Sequence, residues 1–358
     1  MRRLVVLAVV VAACREVDAP EPTPQQFAAV AQETSTMHPP VPGSFVDLVK
    51  ERRHGVVGIR AAAEVKSGPA AMFPGAPDAT ADVALGTGFL IEAKGLFVIT
   101  NAHIADVTPD LRVILPDRSE VPAQILGRDP RLDIALLKID APRQKALPLG
   151  DSDDVKVGEW IIVLGNPFGD EVTASAGIVS ATGREGAGSY VIKGPRVHRT
   201  FLQTDARIHR GNSGGPVLNT ARQVIGVALA TEDKLSELSF IVPINRVREI
   251  VDDLREHGQV TRGYLGAMVL PVTPERAQAL GMPRLAGALV TEIKAGSPAA
   301  RSALRVGDIL LQWDGKDIDH RSLPWTVAQT PVGRPTKVKV WRNRAEGELV
   351  VVTEKMPE

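Results

Sequence analysis

A serine enclosed by small residues is the feature of this sequence best suited to covalent chemistry. The segment Gly211–Pro216, which reads GNSGGP, has the backbone freedom to adopt positive φ and to turn several N–H groups toward one point beside the Ser213 hydroxyl. Acyl transfer requires such donors, because they must meet the oxyanion of a tetrahedral intermediate. The same six residues could instead form a glycine-rich hairpin turn.

A serine nucleophile also needs a base at neutral pH, so a histidine must accompany it. His103 alone among the seven histidines stands directly after a strand-like run, Phe97–Thr100. The other six lie in polar, turn or N-terminal contexts: His38, His54, His198, His209, His257 and His320.

An acid completes the set. Asp133 opens the apolar strand-like run that ends at Ile139, where an unpaired carboxylate would be costly. An imidazole needs an acceptor of this kind to hold its tautomer and to stabilise the imidazolium. The chain order His103, Asp133, Ser213 is that of the chymotrypsin-type catalytic triad.

Length and composition indicate the number of domains, the fold class and the charge of the protein that carries these residues. The 358 residues suffice for about two domains. With 32 glycines, 27 prolines and only 4% aromatic residues, the chain favours short strands joined by turns. Its 42 basic residues balance 42 acidic ones, so no overall positive field would attract nucleic acid, and we expect no nucleic-acid partner.

The distribution of apolar residues predicts two β-rich regions separated by a helix. Short β-type runs from Val56–Ile59 to Phe240–Val242 indicate barrels or a sandwich. Helical periodicity then covers Arg246–Glu256, and Gly258 is expected to act as its C-cap. A further set of strands, from Tyr264–Val269 onward, predicts a second, smaller domain.

The N-terminus predicts export. Met1-Arg2-Arg3 precedes the apolar run Leu4–Ala13, which is the order of a secretory signal and is too short to span a bilayer. Val11–Cys14 resembles the bacterial lipobox, in which the cysteine is lipidated, so Cys14 is the expected lipidation site. An ordinary signal with an incidental cysteine, or a mis-assigned start codon, remains an alternative. The Pro-rich residues that follow are expected to form a flexible spacer.

Seven motifs together resemble the HtrA/Deg family of trypsin-like serine proteases over about residues 45 to 355. They are Gly86–Phe89, Thr100–His103, Asp133–Leu136, Gly165–Gly169, Gly177–Ser180, Phe201–Ala206 and Gly211–Pro216. The resemblance implies a mainly β fold of two six-stranded antiparallel barrels. It assigns His103 as general base, Asp133 as its orienting acid and Ser213 as nucleophile. It also implies that the N–H groups of Gly211, Asn212 and Ser213 face the oxyanion, and no motif asks for a metal or cofactor.

Two segments depart from the family pattern. The family usually has Ile-Asn-Pro before Gly-Asn-Ser, whereas this chain reads Ile208-His209-Arg210, which predicts a more mobile loop or a less preset oxyanion hole. The usual Gly-x-Gly-Phe-Ala-Ile-Pro segment is Glu237–Pro243 here. By resemblance, the pocket for the substrate's first side chain is lined by Ile208, Ser239, Phe240 and Ile241, and an apolar, medium-sized residue is expected there.

The second region resembles a PDZ domain, a small α+β module. The resemblance rests on Arg262–Ala267, Ala295–Ala299 and Leu304–Leu310. It implies that the loop Gly263, Tyr264, Leu265 and Gly266 presents N–H groups to the terminal carboxylate of a peptide that adds to the sheet edge. A packing module without a ligand is the alternative.

The sequence therefore predicts a leader at residues 1–14, a spacer at 15–44, a protease domain at 45–257 and a PDZ domain at 262–355. The expected function is a serine endopeptidase on the periplasmic side of a bacterial membrane, anchored by lipid, that cleaves unfolded or signal-bearing proteins. A homotrimer is implied by the resemblance only. The alternative hypothesis is a catalytically weak chaperone or a PDZ-type binding protein on a protease scaffold.

Overall fold

The described part of the chain is built mainly from antiparallel β-strands. The computed structural model describes residues 43–64, 80–107, 110–167, 169–184, 201–229 and 239–357. The predicted leader with Cys14, nearly all of the predicted spacer, Phe168 and the pair Glu237-Leu238 lie outside these ranges. No helix within the ranges is long and apolar enough to cross a bilayer.

The first six strands close a barrel in the order β1-β2-β3-β6-β5-β4. They are β1 (Val56–Glu64), β2 (Thr80–Glu92), β3 (Leu96–Thr100), β4 (Leu111–Ile114), β5 (Glu120–Asp129) and β6 (Ile134–Ile139). Helix α1 (Val46–Arg52) precedes this barrel, and the single turn α2 (Ala102–Ala105) follows β3.

The next six strands close a second barrel in the order β10-β11-β12-β9-β8-β7. They are β7 (Trp160–Gly165), β8 (Thr173–Arg184), β9 (Phe201–Thr204), β10 (Pro216–Asn219), β11 (Val224–Leu229) and β12 (Ser239–Pro243). The two antiparallel six-stranded barrels predicted by resemblance are thus confirmed. Strand β10 was not among the predicted runs, because only two of its four residues, Val217 and Leu218, are apolar, and they stand between a proline and an asparagine.

Helix α3 (Ile244–His257) leads out of the second barrel. It starts two residues earlier and ends one residue later than the periodicity indicated. Gly258 is its C-cap as predicted, with a left-handed φ of 73° and an N–H that donates to Leu254 O at 3.2 Å. Its apolar face packs Val247, Ile250 and Leu254 into the core between the barrels.

The last part of the chain forms a five-strand sheet path with three short helices. The sheet order is β14-β15-β16-β18-β19, with β17 paired to β16 and a separate pair β13-β20. The elements are β13 (Gly263–Tyr264), β14 (Ala267–Pro271), α4 (Pro274–Ala279), β15 (Ala288–Ile293), α5 (Pro298–Arg301), β16 (Ile309–Trp313), β17 (Lys316–Asp317), α6 (Ser322–Ala328), β18 (Pro335–Arg342), β19 (Ala345–Val352) and β20 (Glu354–Lys355).

Alternation along the strands sorts side chains between the barrel interiors and the space between the barrels. In β3, Val98 belongs to the core inside the first barrel, whereas Phe97 and Ile99 join the larger core that also holds residues of the second barrel. In β12, Ile241 lies inside the second barrel and Phe240 lies in the core between barrels. The inter-barrel core therefore fixes one barrel against the other, and the active-site residues come from both.

A buried ion pair ties the terminal sheet region to the first barrel. Arg262 Nη1 donates to Asp129 Oδ1 at 3.1 Å, Arg262 Nη2 also pairs with Asp129 Oδ2, and both side chains are at most 5% exposed. Burial, together with the charge of Arg262, lowers the pKa of the nearby Arg131 from its usual value. Asp129 ends β5, four residues before Asp133, so this contact reaches the turn that carries the predicted catalytic acid.

Candidate active site

Asp133 sits in a turn that the sequence folds at some conformational cost. Its φ is 57°, a left-handed conformation that Asp tolerates better than most residues. The Asp133 carbonyl accepts from Asn101 Nδ2 at 2.9 Å and from Ala102 N at 3.1 Å. The turn between β5 and β6 is therefore locked to the segment that follows β3.

The Asp133 carboxylate binds His103 through both of its oxygens. Oδ1 accepts from the His103 backbone N–H at 2.9 Å, and Oδ2 lies 2.6 Å from His103 Nδ1. A carboxylate can only accept, so Nδ1 carries a proton, and Nε2 is the nitrogen that acts as the base when the imidazole is neutral. The side chain of Asp133 is 6% exposed and that of His103 is 53% exposed, so the acid is buried while the base reaches the surface.

Ser213 lies in the second barrel, at the end of a short 3₁₀ turn, Arg210–Asn212, that leads into β10. We call residues 209–214 the nucleophile loop. The turn is closed by the His209 carbonyl, which accepts from Asn212 N at 2.9 Å and from Ser213 N at 3.2 Å. Two of the three N–H groups predicted to face the oxyanion, those of Asn212 and Ser213, thus point into their own loop in this structure.

Glycines allow the two halves of the site to approach closely. A Cβ on Gly86 would lie 3.1 Å from Ser213 O and 2.5 Å from Ile104 Cδ1, and Ile104 is the neighbour of His103. Gly214 has φ 81°, and a Cβ there would lie 3.1 Å from Asn101 N. The segments that carry His103 and Ser213 therefore pack within van der Waals contact of shared neighbours.

The structure brings together three of the four residues predicted for the substrate pocket. Ile208 donates its N–H to Ser239 Oγ at 3.3 Å and packs against the core that contains Ile241. Phe240 belongs to the inter-barrel core, where its ring lies 6.2 Å from that of Phe201. Because neighbouring strand residues face opposite sides, Phe240 lies on the other side of β12 from Ser239 and Ile241, and its place in the pocket stays a prediction.

The predicted carboxylate-binding loop is held between two sheets. Gly263 and Tyr264 pair with Lys355 and Glu354. The carbonyl of Leu265 accepts from Ala299 N at 2.8 Å, so the trans peptide turns the N–H of the next residue, Gly266, to the opposite side.

Gly266 itself completes the turn. It has φ 77°, and its carbonyl accepts from Lys294 N at 2.9 Å. The carbonyls of Leu265 and Gly266 are thus both bonded to other segments of this domain.

Sequence reasoning did not single out Thr87 and Asn166 as site residues, although both lie in motifs that it quoted. Both are buried next to the nucleophile loop, and the Asn166 N–H donates to Thr87 Oγ1 at 2.7 Å. A threonine between two glycines within a strand was the available signal, since paired glycines indicate that another backbone comes close.

Two family models match the chain. The trypsin-like peptidase domain matches residues 86–227, and the PDZ domain matches residues 225–353. The second match begins within β11, so it includes the end of the second barrel and α3 as well as the terminal sheet.

Similar proteins agree with these matches. A probable periplasmic serine endoprotease DegP-like of Halomonas elongata is 38% identical over 279 residues, which are 76% of this chain and 57% of that protein. The chain thus spans a little over half the length of the curated relatives it matches. The HtrA-type protease AlgW with decapeptide is 33% identical, with a TM-score of 0.70 over 88% of this chain and 99% of that one.

AlgW solved with a tripeptide gives a TM-score of 0.74 at 32% identity, covering 88% of this chain and 98% of that chain. The likeness extends through both barrels and the terminal sheet. With its trypsin-like and PDZ matches, the chain belongs to the HtrA/Deg family of trypsin-like serine proteases.

Proposed function

We propose that the protein is a serine endopeptidase that uses Ser213 as nucleophile, His103 as general base and Asp133 as the orienting acid. The observation that carries the proposal is the two-point bond between Asp133 and His103, which fixes the imidazole with its Nε2 as the basic nitrogen. A surface histidine without a catalytic task has no need of a buried carboxylate partner. In this proposal residues 45–257 form the protease domain and 262–355 the PDZ domain.

The chemistry follows from these positions. His103 Nε2 takes the Ser213 Oγ proton while Oγ attacks the scissile carbonyl carbon, and Asp133 stabilises the resulting imidazolium. The imidazolium gives the proton to the leaving amine, and the acyl group stays on Ser213 as an ester. A water molecule, activated by the same histidine, then hydrolyses the ester and restores Ser213.

One rearrangement precedes full activity. The Ser213 N–H donates to His209 O at 3.2 Å, at the long end of the hydrogen-bond range, and must leave that carbonyl before it can bind an oxyanion. The N–H groups of Gly211, Asn212 and Ser213 are the expected oxyanion donors once the turn opens. A single oxyanion donor typically accounts for about 10² to 10³ in turnover, so the described arrangement corresponds to a resting enzyme.

Casein digestion tests the proposal. The purified protein should cleave fluorescein-labelled casein, and Ser213→Ala should abolish cleavage without loss of fold, because nucleophile and base act as one unit. Ser152→Ala is the matched control: Ser152 is also buried, and its Oγ accepts from Asn245 N at 3.1 Å, away from the loop. Ordinary cleavage by Ser213→Ala would exclude the proposal and favour the alternative hypothesis of a binding protein.

The PDZ domain is proposed to bind C-terminal peptides at Gly263, Tyr264, Leu265 and Gly266. The bond from Ala299 N to the Leu265 carbonyl supports the assignment, because it turns the Gly266 N–H to the opposite side, where it could donate to a carboxylate. The strand that follows the loop, β14, supports it as well. In the described residues β14 pairs with β15 alone, so its other edge lies open to a peptide strand. Substrates of such an enzyme are unfolded or signal-bearing proteins, recruited or sensed through their C-terminal residues.

The proposed location is the periplasmic side of a bacterial membrane. The similar proteins of Halomonas elongata, Marinomonas sp. and Pseudomonas putida are described as probable periplasmic endoproteases, which supports this compartment. The lipid anchor at Cys14 rests on the sequence Val11–Cys14 alone. A single acyl chain binds membranes only marginally, so stable anchoring needs the several chains of a bacterial lipoprotein.

Membrane fractionation tests the anchor. Cys14→Ser should move the protein from the membrane fraction to the soluble fraction or leave its leader uncleaved. Unchanged membrane association, with a mature N-terminus elsewhere, would support the ordinary-signal alternative.

A homotrimer assembled through the N-terminal side of the protease domain is also proposed. An apolar cleft of about 460 Å³ is lined by Phe45, Val46 and Val49 with Ile162 of β7, and Val46 is 69% exposed. Exposed apolar surface of this kind marks interaction sites. Its occupants here are the other copies of the chain.

Analytical ultracentrifugation tests the assembly. Val46→Asp should yield monomers because it places a charge in the contact, whereas Val107→Asp, at a valine that is 54% exposed elsewhere on the barrel, should leave the trimer intact. A trimeric Val46→Asp protein would place the contact elsewhere.

A further inference from the structure

A buried threonine joins the two halves of the site, and the proposed mechanism gives it no task. Thr87 lies in β2 of the first barrel and has no exposed surface. Its backbone N–H donates to Ser213 O at 3.0 Å, and its hydroxyl donates to Gly211 O at 2.6 Å. Both acceptors belong to the nucleophile loop of the second barrel, so one residue of the first barrel holds that loop at two points.

The direction of the Thr87 hydroxyl is fixed by its partners. The Asn166 N–H lies 2.7 Å from Thr87 Oγ1 and can only donate, so it occupies a lone pair of that oxygen. The Gly211 carbonyl can only accept, so the hydroxyl proton must point to it. Threonine is also stiff about χ1, because Cβ carries two heavy atoms. The peptide between Gly211 and Asn212 is thereby held in one orientation.

Thr87 is connected to the base side as well. Its carbonyl accepts from Thr100 Oγ1 at 2.7 Å, and Thr100 is the last residue of β3. The next residue, Asn101, binds the Asp133 carbonyl through Nδ2 at 2.9 Å. A short chain of buried hydrogen bonds thus leads from the nucleophile loop through Thr87 to the turn that holds the acid.

We propose that Thr87 is a positioning residue, which sets the nucleophile loop against the His103–Asp133 pair; this inference rests on the proposed protease function. Without the hydroxyl, the Gly211 carbonyl and the Asn166 N–H lose a shared partner in a buried place, and the loop gains freedom to shift. Displacement of a reacting group by about 1 Å costs about 10² in rate. The loss falls on turnover, since Thr87 is buried beneath the loop and not in the surface that a substrate meets.

The test compares two substitutions that differ in the hydroxyl. Thr87→Val keeps the shape and removes the donor and acceptor, and kcat for fluorescein-labelled casein should fall about 100-fold while KM changes by less than about threefold. Thr87→Ser keeps the hydroxyl and should restore kcat to within about tenfold of wild type, the remainder reflecting its freer χ1. Thermal unfolding confirms that each protein is folded, and Thr87→Ala replaces Thr87→Val if the latter does not fold.

A matched control separates positioning from stability. Thr204 is also fully buried in a strand, and its hydroxyl donates to Ile178 O at 2.7 Å and accepts from Ala206 N at 3.0 Å, outside the nucleophile loop. Thr204→Val should lower the unfolding temperature about as much as Thr87→Val and leave kcat within a few-fold of wild type.

Equal loss of kcat in Thr87→Val and Thr204→Val, or failure of Thr87→Ser to recover activity, would overturn the inference. A wild-type protein no more active than Ser213→Ala would instead contradict the proposed function.

Discussion

On the first-barrel side of the site, the Asp133 carboxylate holds His103 through two hydrogen bonds of 2.6 and 2.9 Å. The Asp133 carbonyl accepts two more from Asn101 and Ala102, which directly precede His103. On the second-barrel side, the Ser213 N–H donates to the His209 carbonyl of its own loop at 3.2 Å. In the proposed mechanism, the base half, which holds His103 and Asp133, already has its bonds in place, whereas the nucleophile half, which holds Ser213, must first release the Ser213 N–H from His209 O.

This difference follows from how each half is built. The base half is made of side-chain atoms on strand ends and a turn, and the partners of Asp133 leave it one arrangement. The nucleophile loop is made of glycine-rich backbone, whose N–H groups can donate either to a carbonyl of the same loop, as they do to His209 O, or to an oxyanion. Control of activity can therefore act on the loop while the His103–Asp133 pair stays in place.

The largest expected effect tests the base half. His103→Ala should lower casein turnover by about 10⁶-fold, as loss of the base does in other triad enzymes. The protein should stay folded but unfold at a lower temperature, because the buried Asp133 carboxylate loses its bond to the imidazole. His54→Ala, at a half-buried histidine before β1, serves as the control and should retain activity. Turnover by His103→Ala near the wild-type level would show that His103 is not the general base.

Replacing the acid should have the next largest effect. Asp133→Asn should lower kcat by about 10⁴-fold, because the amide no longer holds the tautomer that leaves Nε2 basic. The kcat of the variant is measured beside that of Asp151→Asn, an exposed carboxylate bonded to Asn245 far from the triad. A loss smaller than tenfold would show that the bond to His103 does not matter for catalysis.

The buried ion pair beneath the acid turn gives a stability effect. Arg262→Ala leaves Asp129 buried without its partner and should lower the free energy of unfolding by about 3 to 5 kcal/mol. Arg301→Ala breaks an exposed pair with Glu354 and should cost less than about 1 kcal/mol. Urea unfolding compares the two. Equal effects would mean that the terminal sheet is not anchored to the base half through Arg262.

The smallest effect tests the nucleophile half. A peptide with an apolar C-terminal residue, bound at Tyr264–Ala267, should change the turnover of a chromogenic peptide by about 5- to 150-fold if it prefers one arrangement of the loop, which corresponds to about 1–3 kcal/mol. Calorimetry confirms binding, and the same peptide with an amidated C-terminus is the control, since it lacks the carboxylate. Binding without any change in turnover would show that a ligand of the PDZ domain does not affect the nucleophile loop.

The sequence was a good guide wherever residue type alone decided the outcome. Alternating apolar residues indicated most strands, Gly258 ended α3 as expected, and motif spacing brought His103 together with Asp133. It was a poor guide where the outcome depended on direction. Phe240 was assigned to the pocket, but its side of β12 depends on strand register.

The direction of the Ser213 N–H and the role of Thr87 were likewise beyond the sequence. The N–H direction depends on the orientation of one or two peptide planes within a glycine-rich loop, and several orientations suit the same residues. The glycines beside Thr87 indicated that another backbone comes close, but residue type could not show that this backbone is the nucleophile loop, whose carbonyls Thr87 binds.

Covalent labelling tests directly whether Ser213 is a nucleophile that His103 activates. The purified full-length protein is treated with a fluorophosphonate, and the modified residue and its labelling rate are measured by mass spectrometry. We expect a single adduct on Ser213 that is absent in Ser213→Ala. The adduct should form far more slowly in His103→Ala, because the His103 imidazole is the base that activates Ser213 Oγ. An adduct on another serine, or labelling of Ser213 at the wild-type rate in His103→Ala, would contradict this mechanism.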